Sequence, residues 1–503
     1  MNRPVTENPK VLEEIVLDEE PALTPMSRFA PMIIGFALLM QTLDATVISN
    51  ALPTMARSLH EDPLTLNLAI TSYLLSSAVF LPISGWVADR FGAKVVFRAA
   101  MILFALSSLL CGASQTLLEL VGARMLQGMA GAMMAPVGRL VLLRSVPKND
   151  LVRAMSYLTM PALLGPVIGP PLGGFIVTHA SWRWIFYINI PVCIIGVSLV
   201  TIFIQNVKEE VREPLDWRGF FLTGLGLAAL VYGFENVGRG ALPMPLVAGL
   251  LIVGAALLGL YAWHANRTKF PLLDLSVLRL RSFMTSTVGG VFLRMAMGAT
   301  PFLLAMLLQM GFGLSALEAG LITFTSAAGA LLMKTTARPI INRLGFKHVL
   351  VWNTVITGAV FMGYSLFRQS TPHYLIIATL LIGGFFRSLQ FTAMQALTYA
   401  DVPQEKMSRA SSLASMAQQV SQSIGIGFAA ILLTSLRGMH HSTVLQAGDV
   451  SPAFLYIGAM TLLGLFFFIP LPANVGAEVS GKRFAARRER VDPEQELATA
   501  EAD

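Results

Sequence analysis

Asp44 lies inside an apolar run, residues 29–49, that holds no other charge. An ionised carboxylate in hydrocarbon is costly, so an occluded Asp44 is expected to hold a proton and a wetted one to release it. That is the chemistry of proton carriage; the alternative is a permanently neutral Asp making one static helix–helix hydrogen bond. Arg124 falls in a second run, 117–143. A guanidinium keeps its charge, so it needs a carboxylate, carbonyl oxygens or water as a partner. Asp44 would serve, and so would a set of backbone carbonyls that merely ties helices together. Arg139, Arg294 and Arg387 also sit in apolar runs. Charges at such depth are expected to face a cavity or a partner, and these three would make a cavity attractive to an anion. Gln127, Gln309 and Gln390 could add hydrogen bonds, and Met133, one of 25 methionines, a polarisable wall. Plain packing is the competing reading for all four. Acids at this depth are scarce: Asp44 is the clear case, with Glu235 near a run's end. A pocket for lipophilic cations would call for more carboxylate.

Other chemistries find no support. The two cysteines, Cys111 and Cys193, both sit in apolar runs, which argues against a disulfide framework and a metal site. There is no HExxH, no GxSxG and no phosphate-binding loop, so the sequence points away from an enzyme, from ATP drive and from any cofactor. Gly425-Ile426-Gly427 imitates part of a nucleotide fingerprint but lies within an apolar run, where it reads as helix packing.

The elements that must position these groups are membrane helices. Hydrophobic residues make up 54% and charged residues 13% of the 503, about half the charge a soluble domain carries. Runs near the roughly 20 residues that cross a bilayer occur at 29–49, 67–87, 95–113, 117–143, 154–178, 184–205, 219–236, 245–264, 286–310, 317–337, 347–367, 374–398, 410–435 and 452–471. Fourteen spans are therefore expected, in an all-α polytopic membrane protein. Residues 1–27 are acidic, lack the features of a signal peptide and read as a cytoplasmic tail; residues 473–503 form a basic one. With the N-terminus inside, and with Arg98, Lys334 and Lys347 at the inner ends of their runs counted with the adjoining loops, the tails and even-numbered loops hold 27 Lys and Arg, the odd-numbered loops 5, and the spans 4. Basic loops resist translocation, so both termini are expected in the cytoplasm. The net charge of +7 is then a topology signal and not a nucleic-acid footprint.

A short segment recurs. Asp89-Arg90-Phe91-Gly92-Ala93-Lys94 follows the second span, and Asn342-Arg343-Leu344-Gly345-Phe346-Lys347 follows the tenth. Arg, Gly and the final Lys match at identical spacing. This predicts two six-helix bundles, 28–205 and 266–472, with residues 206–265 as two inserted helices. Parallel six-helix halves build the major facilitator fold, with the substrate site between them.

Four stretches carry a family resemblance. Leu43-Asp44-Ala45-Thr46-Val47-Ile48-Ser49-Asn50-Ala51-Leu52-Pro53 is similar to a first-helix signature commonly read as LDxTIVNVALP, with Ser49 in place of its Asn. Gly85-Trp86-Val87-Ala88-Asp89-Arg90-Phe91-Gly92-Ala93-Lys94 resembles the loop motif after span two. Arg124-Met125-Leu126-Gln127-Gly128 resembles the RxxQG signature of span four. Gly165-Pro166-Val167-Ile168-Gly169-Pro170-Pro171-Leu172-Gly173-Gly174 resembles the antiporter signature of span five, and Trp182-Arg183-Trp184 through Pro191 also fits, its aromatics suiting an interfacial belt. The chain thus resembles the major facilitator superfamily, in the fourteen-span drug:proton antiporter group that includes EmrB and QacA, and most of all its MdtD-type bacterial members.

That resemblance implies a proton-driven exporter of drugs or toxic compounds in the bacterial inner membrane. Its partners would be protons, a small-molecule substrate and the lipid bilayer, with a periplasmic adaptor and an outer-membrane channel as further partners it allows. Asp44 and Arg124 would couple protons. Gly85, Asp89, Arg90, Gly92 and Lys94 would form a gating loop, or a static staple. Gly165, Pro166, Gly169, Pro170, Gly173 and Gly174 would give a kinked, closely packed helix suited to rocking, or to packing alone. The arginines keep an organic-anion exporter open as a rival, and a non-transporting receptor is the third class.

Overall fold

The computed structural model describes residues 25–204, 213–237, 242–439 and 447–480. Both expected tails fall mainly outside this range, at 1–24 and 481–503. The long helices are α1 (Pro25–Leu59), α2 (Leu68–Phe80), α3 (Ser84–Phe91), α4 (Ala93–Ala113), α5 (Leu117–Ser145), α6 (Leu151–Ala162), α7 (Gly165–His179) and α8 (Asn189–Phe203). They continue as α9 (Trp217–Asn236), α10 (Met244–Ala265), α11 (Gly290–Ala305), α12 (Ala316–Leu344), α13 (Phe346–Tyr364), α14 (His373–Thr398), α15 (Met407–Met439) and α16 (Ala447–Leu462). The fold is all-α, as expected. Among the described residues, ten helices are long and apolar enough to cross a membrane, and α2 with α3, bent by 60°, makes an eleventh. The other three expected places, 154–178, 317–337 and 347–367, are filled by α6 with α7, by α12 and by α13. The first of these is broken: α6 and α7 have 12 and 15 residues. The expected set of fourteen is consistent with this arrangement.

The repeated segment has a structural counterpart. Gly92 and Gly345 both adopt positive φ, 92° and 79°, and each ends one helix and starts the next. That backbone favours glycine, which explains the matched spacing. A second repeat lies one helix pair further on. Val146-Pro147, a 3-10 turn at Lys148–Asp150 and Arg153 correspond to Val402-Pro403, a 3-10 turn at Gln404–Lys406 and Arg409.

Helix α9 packs against α2 of the first bundle and α15 of the second, and α10 packs mainly on α9. Gly224 on α9 makes this possible, because a Cβ there would lie 2.8 Å from the Val79 carbonyl oxygen. Helix α9 therefore lies across the seam between α2 and α15.

Two expectations change. Lys334, counted with the loops, is buried within α12 and donates to Thr392 Oγ1 at 2.7 Å. Its position at the inner end of run 317–337 hid this; the count becomes 26 against 5 and keeps its sign. Trp182 and Phe186, expected in an interfacial belt, are buried, while Trp184 is exposed.

Candidate functional site

Thr116 caps the N-terminus of α5 by accepting from the Glu119 amide. One turn further along, α5 presents Arg124 and Gln127 to the core of the first bundle, where both are buried. Arg124 donates to Asp44 Oδ2 on α1 at 2.7 Å, to Gln127 Oε1 at 2.6 Å and to the Ala69 carbonyl on α2 at 3.1 Å. Its guanidinium lies 4.5 Å from the Tyr73 ring centroid and 6.0 Å from that of Phe186. The other carboxylate oxygen, Asp44 Oδ1, accepts from Gln127 Nε2 at 3.1 Å and Asn189 Nδ2 at 2.9 Å. Ser108 on α4 accepts from both amides, at 2.8 and 3.3 Å. One carboxylate and one guanidinium, each at most 1% exposed, are thus held by groups from α1, α2, α4, α5 and α8. A buried ion pair is tolerated when its remaining lone pairs and protons are hydrogen-bonded, and this one is.

Helix α7 fastens α1 in place. A Cβ on Gly165 or Gly169 would collide with Thr42 Oγ1 or Thr46 Oγ1, and one on Gly173 would lie 3.0 Å from the Val47 carbonyl oxygen. The glycines at intervals of four therefore put α7 directly on the turns that carry Asp44, whereas Gly174 faces open space. Proline at 166 has no N–H for the carbonyl of Ala162; Thr42 Oγ1 sits 3.1 Å from that oxygen and replaces the lost donor. Pro170 lies one turn further along the same backbone.

The second cluster joins the two bundles. Asp89, near the end of α3, accepts from Arg144 at 3.1 Å and from the Ser408 hydroxyl on α15. The Ser84 and Ser412 hydroxyls are 2.8 Å apart. Gly85 permits this approach, since a Cβ there would lie 2.8 Å from the Ser408 carbonyl oxygen. Arg139 reaches across from α5 to Tyr399 and Ser415, each at 3.2 Å, and Ser411 donates to the Pro136 carbonyl at 2.9 Å. At the related place on the other bundle, Arg338 pairs with Asp150 at 2.8 Å. Glu213, entering α9, pairs with Arg409, and its carbonyl accepts from the Trp86 indole at 3.1 Å. A cavity of about 220 Å³ lies beside these groups, with Arg90 in its wall. Lys94 donates to the Thr201 carbonyl at 2.9 Å, within the first bundle, so it does not cross the seam.

Residues 34–265 and 286–493 match the Major Facilitator Superfamily. The chain belongs to that family. Two curated relatives, both named MdtD for multidrug resistance, are 38% identical in Serratia proteamaculans and 39% identical in Yersinia pestis. The first match covers 89% of this chain and 92% of the relative, the second 89% and 95%. Among solved structures, the fold is similar to that of the proton:xylose symporter XylE (TM-score 0.63, 14% identity, 90% of this chain and 98% of that one). It is also similar to the human organic anion transporter MFSD10 (TM-score 0.62, 15% identity, 88% and 100%). A major facilitator is a transporter, not an enzyme.

Within this transporter, the residues singled out from sequence fall into separate places. Asp44 and Arg124 meet, with Gln127 beside them and not in a cavity wall. Gln390 is enclosed between α13 and α14, accepting from Asn353 at 2.9 Å and donating to Thr354 at 2.7 Å. Gln309 is exposed on a π-helical turn, Met306–Gly311, and Met133 is partly buried. Arg139 belongs to the seam. Arg294 is buried in the second bundle, donating to the Thr287 carbonyl at 3.0 Å. Arg387 donates to Ser326 Oγ at 3.0 Å. Sequence reading missed the roles of Asn189, Ser108, Tyr73, Ser408 and Lys334. Asn189 had a usable signal, an amide in the middle of an apolar run; the serines had none, because hydroxyls are common in membrane helices.

Proposed function

We propose that this transporter is a proton-coupled exporter of small amphipathic compounds, working in the bacterial inner membrane by alternating access. The observation that carries the reading is the buried Asp44–Arg124 pair. Protonating Asp44 would leave Arg124 buried without a counter-charge, so proton uptake requires the guanidinium to move. Arg124 is anchored to α2 through Ala69 and Tyr73, and α2 continues through its bend into α3, which carries Asp89. A proton at Asp44 can thereby loosen the seam some distance away. The 26 to 5 distribution of basic residues supports both termini in the cytoplasm. The seam at Asp89 then closes the cytoplasmic side, and a proton reaches Asp44 from the periplasm. Its release inside would accompany export. A periplasmic adaptor and outer-membrane channel would act after this step.

The names of the MdtD relatives support drugs or toxic compounds as cargo. The test is proton-driven efflux in energised everted vesicles. Asp44→Asn is expected to abolish it while the protein remains in the membrane, and full retained efflux would sink the assignment.

A further inference from the structure

The buried charges do not balance. Asp44 and Arg124 neutralise each other. Four more cations lie deep in the helices, Arg139, Arg294, Lys334 and Arg387, and every hydrogen-bond partner of theirs is neutral. Arg139 has Tyr399 and Ser415, Arg294 the Thr287 carbonyl, Lys334 Thr392, and Arg387 Ser326. Among the described residues, the acids of helices α11 to α16 are Glu318, exposed in the first turn of α12, and Asp449, in the first turn of α16; none lies further along any of these helices. Charges held at this depth need a partner of opposite sign.

Two of the four reach the same part of the second bundle from opposite sides. Arg139 on α5 crosses the seam to Tyr399, just after α14, and to Ser415 on α15. Arg294 lies on α11, which packs against α15, and a Cβ on Gly290 would lie 3.0 Å from its Nη1 and 3.1 Å from Met394 Sδ of α14. Arg294 Nε has no partner, and neither have the hydroxyls of Ser286 and Thr287 on the π-helical turn, Thr285–Gly289, that leads into α11. π-turns are frequent at functional sites. The bonds that cover Arg139 are seam bonds, so opening the seam frees its guanidinium as well.

We propose that the transported compound is an organic anion whose carboxylate is received between Arg139 and Arg294. This rests on the transporter reading above and specifies its substrate class. Guanidinium groups suit the site because they bind a carboxylate by two parallel hydrogen bonds. Arg387 adds a positive potential in the same bundle.

The test uses purified full-length protein and two xanthene dyes of similar size, anionic fluorescein and cationic rhodamine 6G. Binding is read without a gradient, as the ligand-induced rise in unfolding temperature in detergent, and transport is read in liposomes under an imposed pH gradient. Fluorescein is expected to stabilise the wild type and rhodamine 6G to do so less. Arg294→Gln should weaken fluorescein binding by about tenfold or more, with Arg294→Lys recovering part of it and Arg139→Gln behaving like Arg294→Gln. Loss of a monodisperse gel-filtration peak in Arg294→Gln leaves Arg294→Lys and Arg139→Gln to decide. Rhodamine 6G binding more tightly than fluorescein, or the variants weakening both dyes equally, overturns the proposal. Fluorescein that binds as described but never responds to the pH gradient overturns proton coupling and leaves the anion site standing.

Discussion

Asp44→Asn perturbs the first bundle in a way that can be worked out from its contacts. It removes the formal negative charge beside Arg124 and leaves the Ala69 carbonyl and Gln127 Oε1, both neutral. The new amide nitrogen must also face donors. It points either at Arg124 or at Gln127 and Asn189, which now donate to the two carboxylate oxygens. Removing one partner of a buried pair costs about 3–5 kcal/mol. Arg124→Gln alone should cost a comparable amount, because Asp44 is then the uncompensated charge. The double variant Asp44→Asn/Arg124→Gln replaces the pair by two amides that can bond each other. It should therefore be more stable than the sum of the single losses by about 2 kcal/mol or more. Denaturant unfolding in mixed micelles, followed by circular dichroism, gives the three values; everted vesicles give proton-driven efflux, which all three variants should lack. Additivity to within about 0.5 kcal/mol would refute the coupling of the two charges. Efflux in the double variant at the wild-type rate would refute the proton site.

On α7, Gly169→Leu should destabilise the protein by about 1–3 kcal/mol through overpacking against Thr46, while Gly174→Ala, facing open space, should be silent in the same unfolding assay. Removing the bond between Asp89 and Ser408 by Ser408→Ala should raise maleimide labelling of a cysteine placed at Ser412 by about tenfold, since a hydrogen bond to a charged group contributes about 1.5–3 kcal/mol; unchanged labelling would show that the bond does not hold the seam. Asp274, outside the spans, is pushed up by burial but held below the usual carboxylate range overall by Ser276 and the Lys406 ammonium. Its contribution is present above the unfolded value of about 3.8 and lost as pH falls through the lower folded one. Asp274→Asn should therefore flatten the acid limb of the stability curve below about pH 4, by under about 1 kcal/mol for so exposed a pair; an unaltered limb would remove the pair from the account.

Much of the fold was legible because the solvent change from water to lipid leaves a coarse mark: apolar runs, a lopsided distribution of basic loops and one repeated turn. The Asp44–Arg124 pair was legible for the same reason, since charges in such runs are few and must find each other. What surrounds the pair was not. Asn189 and Ser108 matter because they converge on one carboxylate oxygen and its amide neighbours, and convergence from α4, α5 and α8 is a property of the packed bundle. Lys334 shows the opposite failure. Its residue type was conspicuous, but its place at the inner end of run 317–337 had it counted with the adjoining loop, and its burial could be seen only once α12 was continuous to Leu344.

The two repeats also show how one bundle can act on the other. Gly92 and Gly345 make the same turn, yet Asp89 in the first copy corresponds to Asn342 in the second. In the later repeat Asp150 corresponds to Lys406 and Val152 to Ser408. Each substitution changes what reaches across. Asp89 takes the Ser408 hydroxyl from the opposite bundle, whereas Lys406 pairs with Asp274 beside it. Asp150 takes Arg338 from the opposite bundle. The carboxylates that meet the second bundle at this end, Asp89 and Asp150, thus come from the first bundle, which also holds the proposed proton site, and the groups they meet, Ser408 and Arg338, come from the second, which holds three of the four unbalanced basic side chains. A proton arriving at Asp44 and an anion arriving at Arg294 would then act on the same seam from opposite sides, which is the arrangement that exchange of one for the other requires.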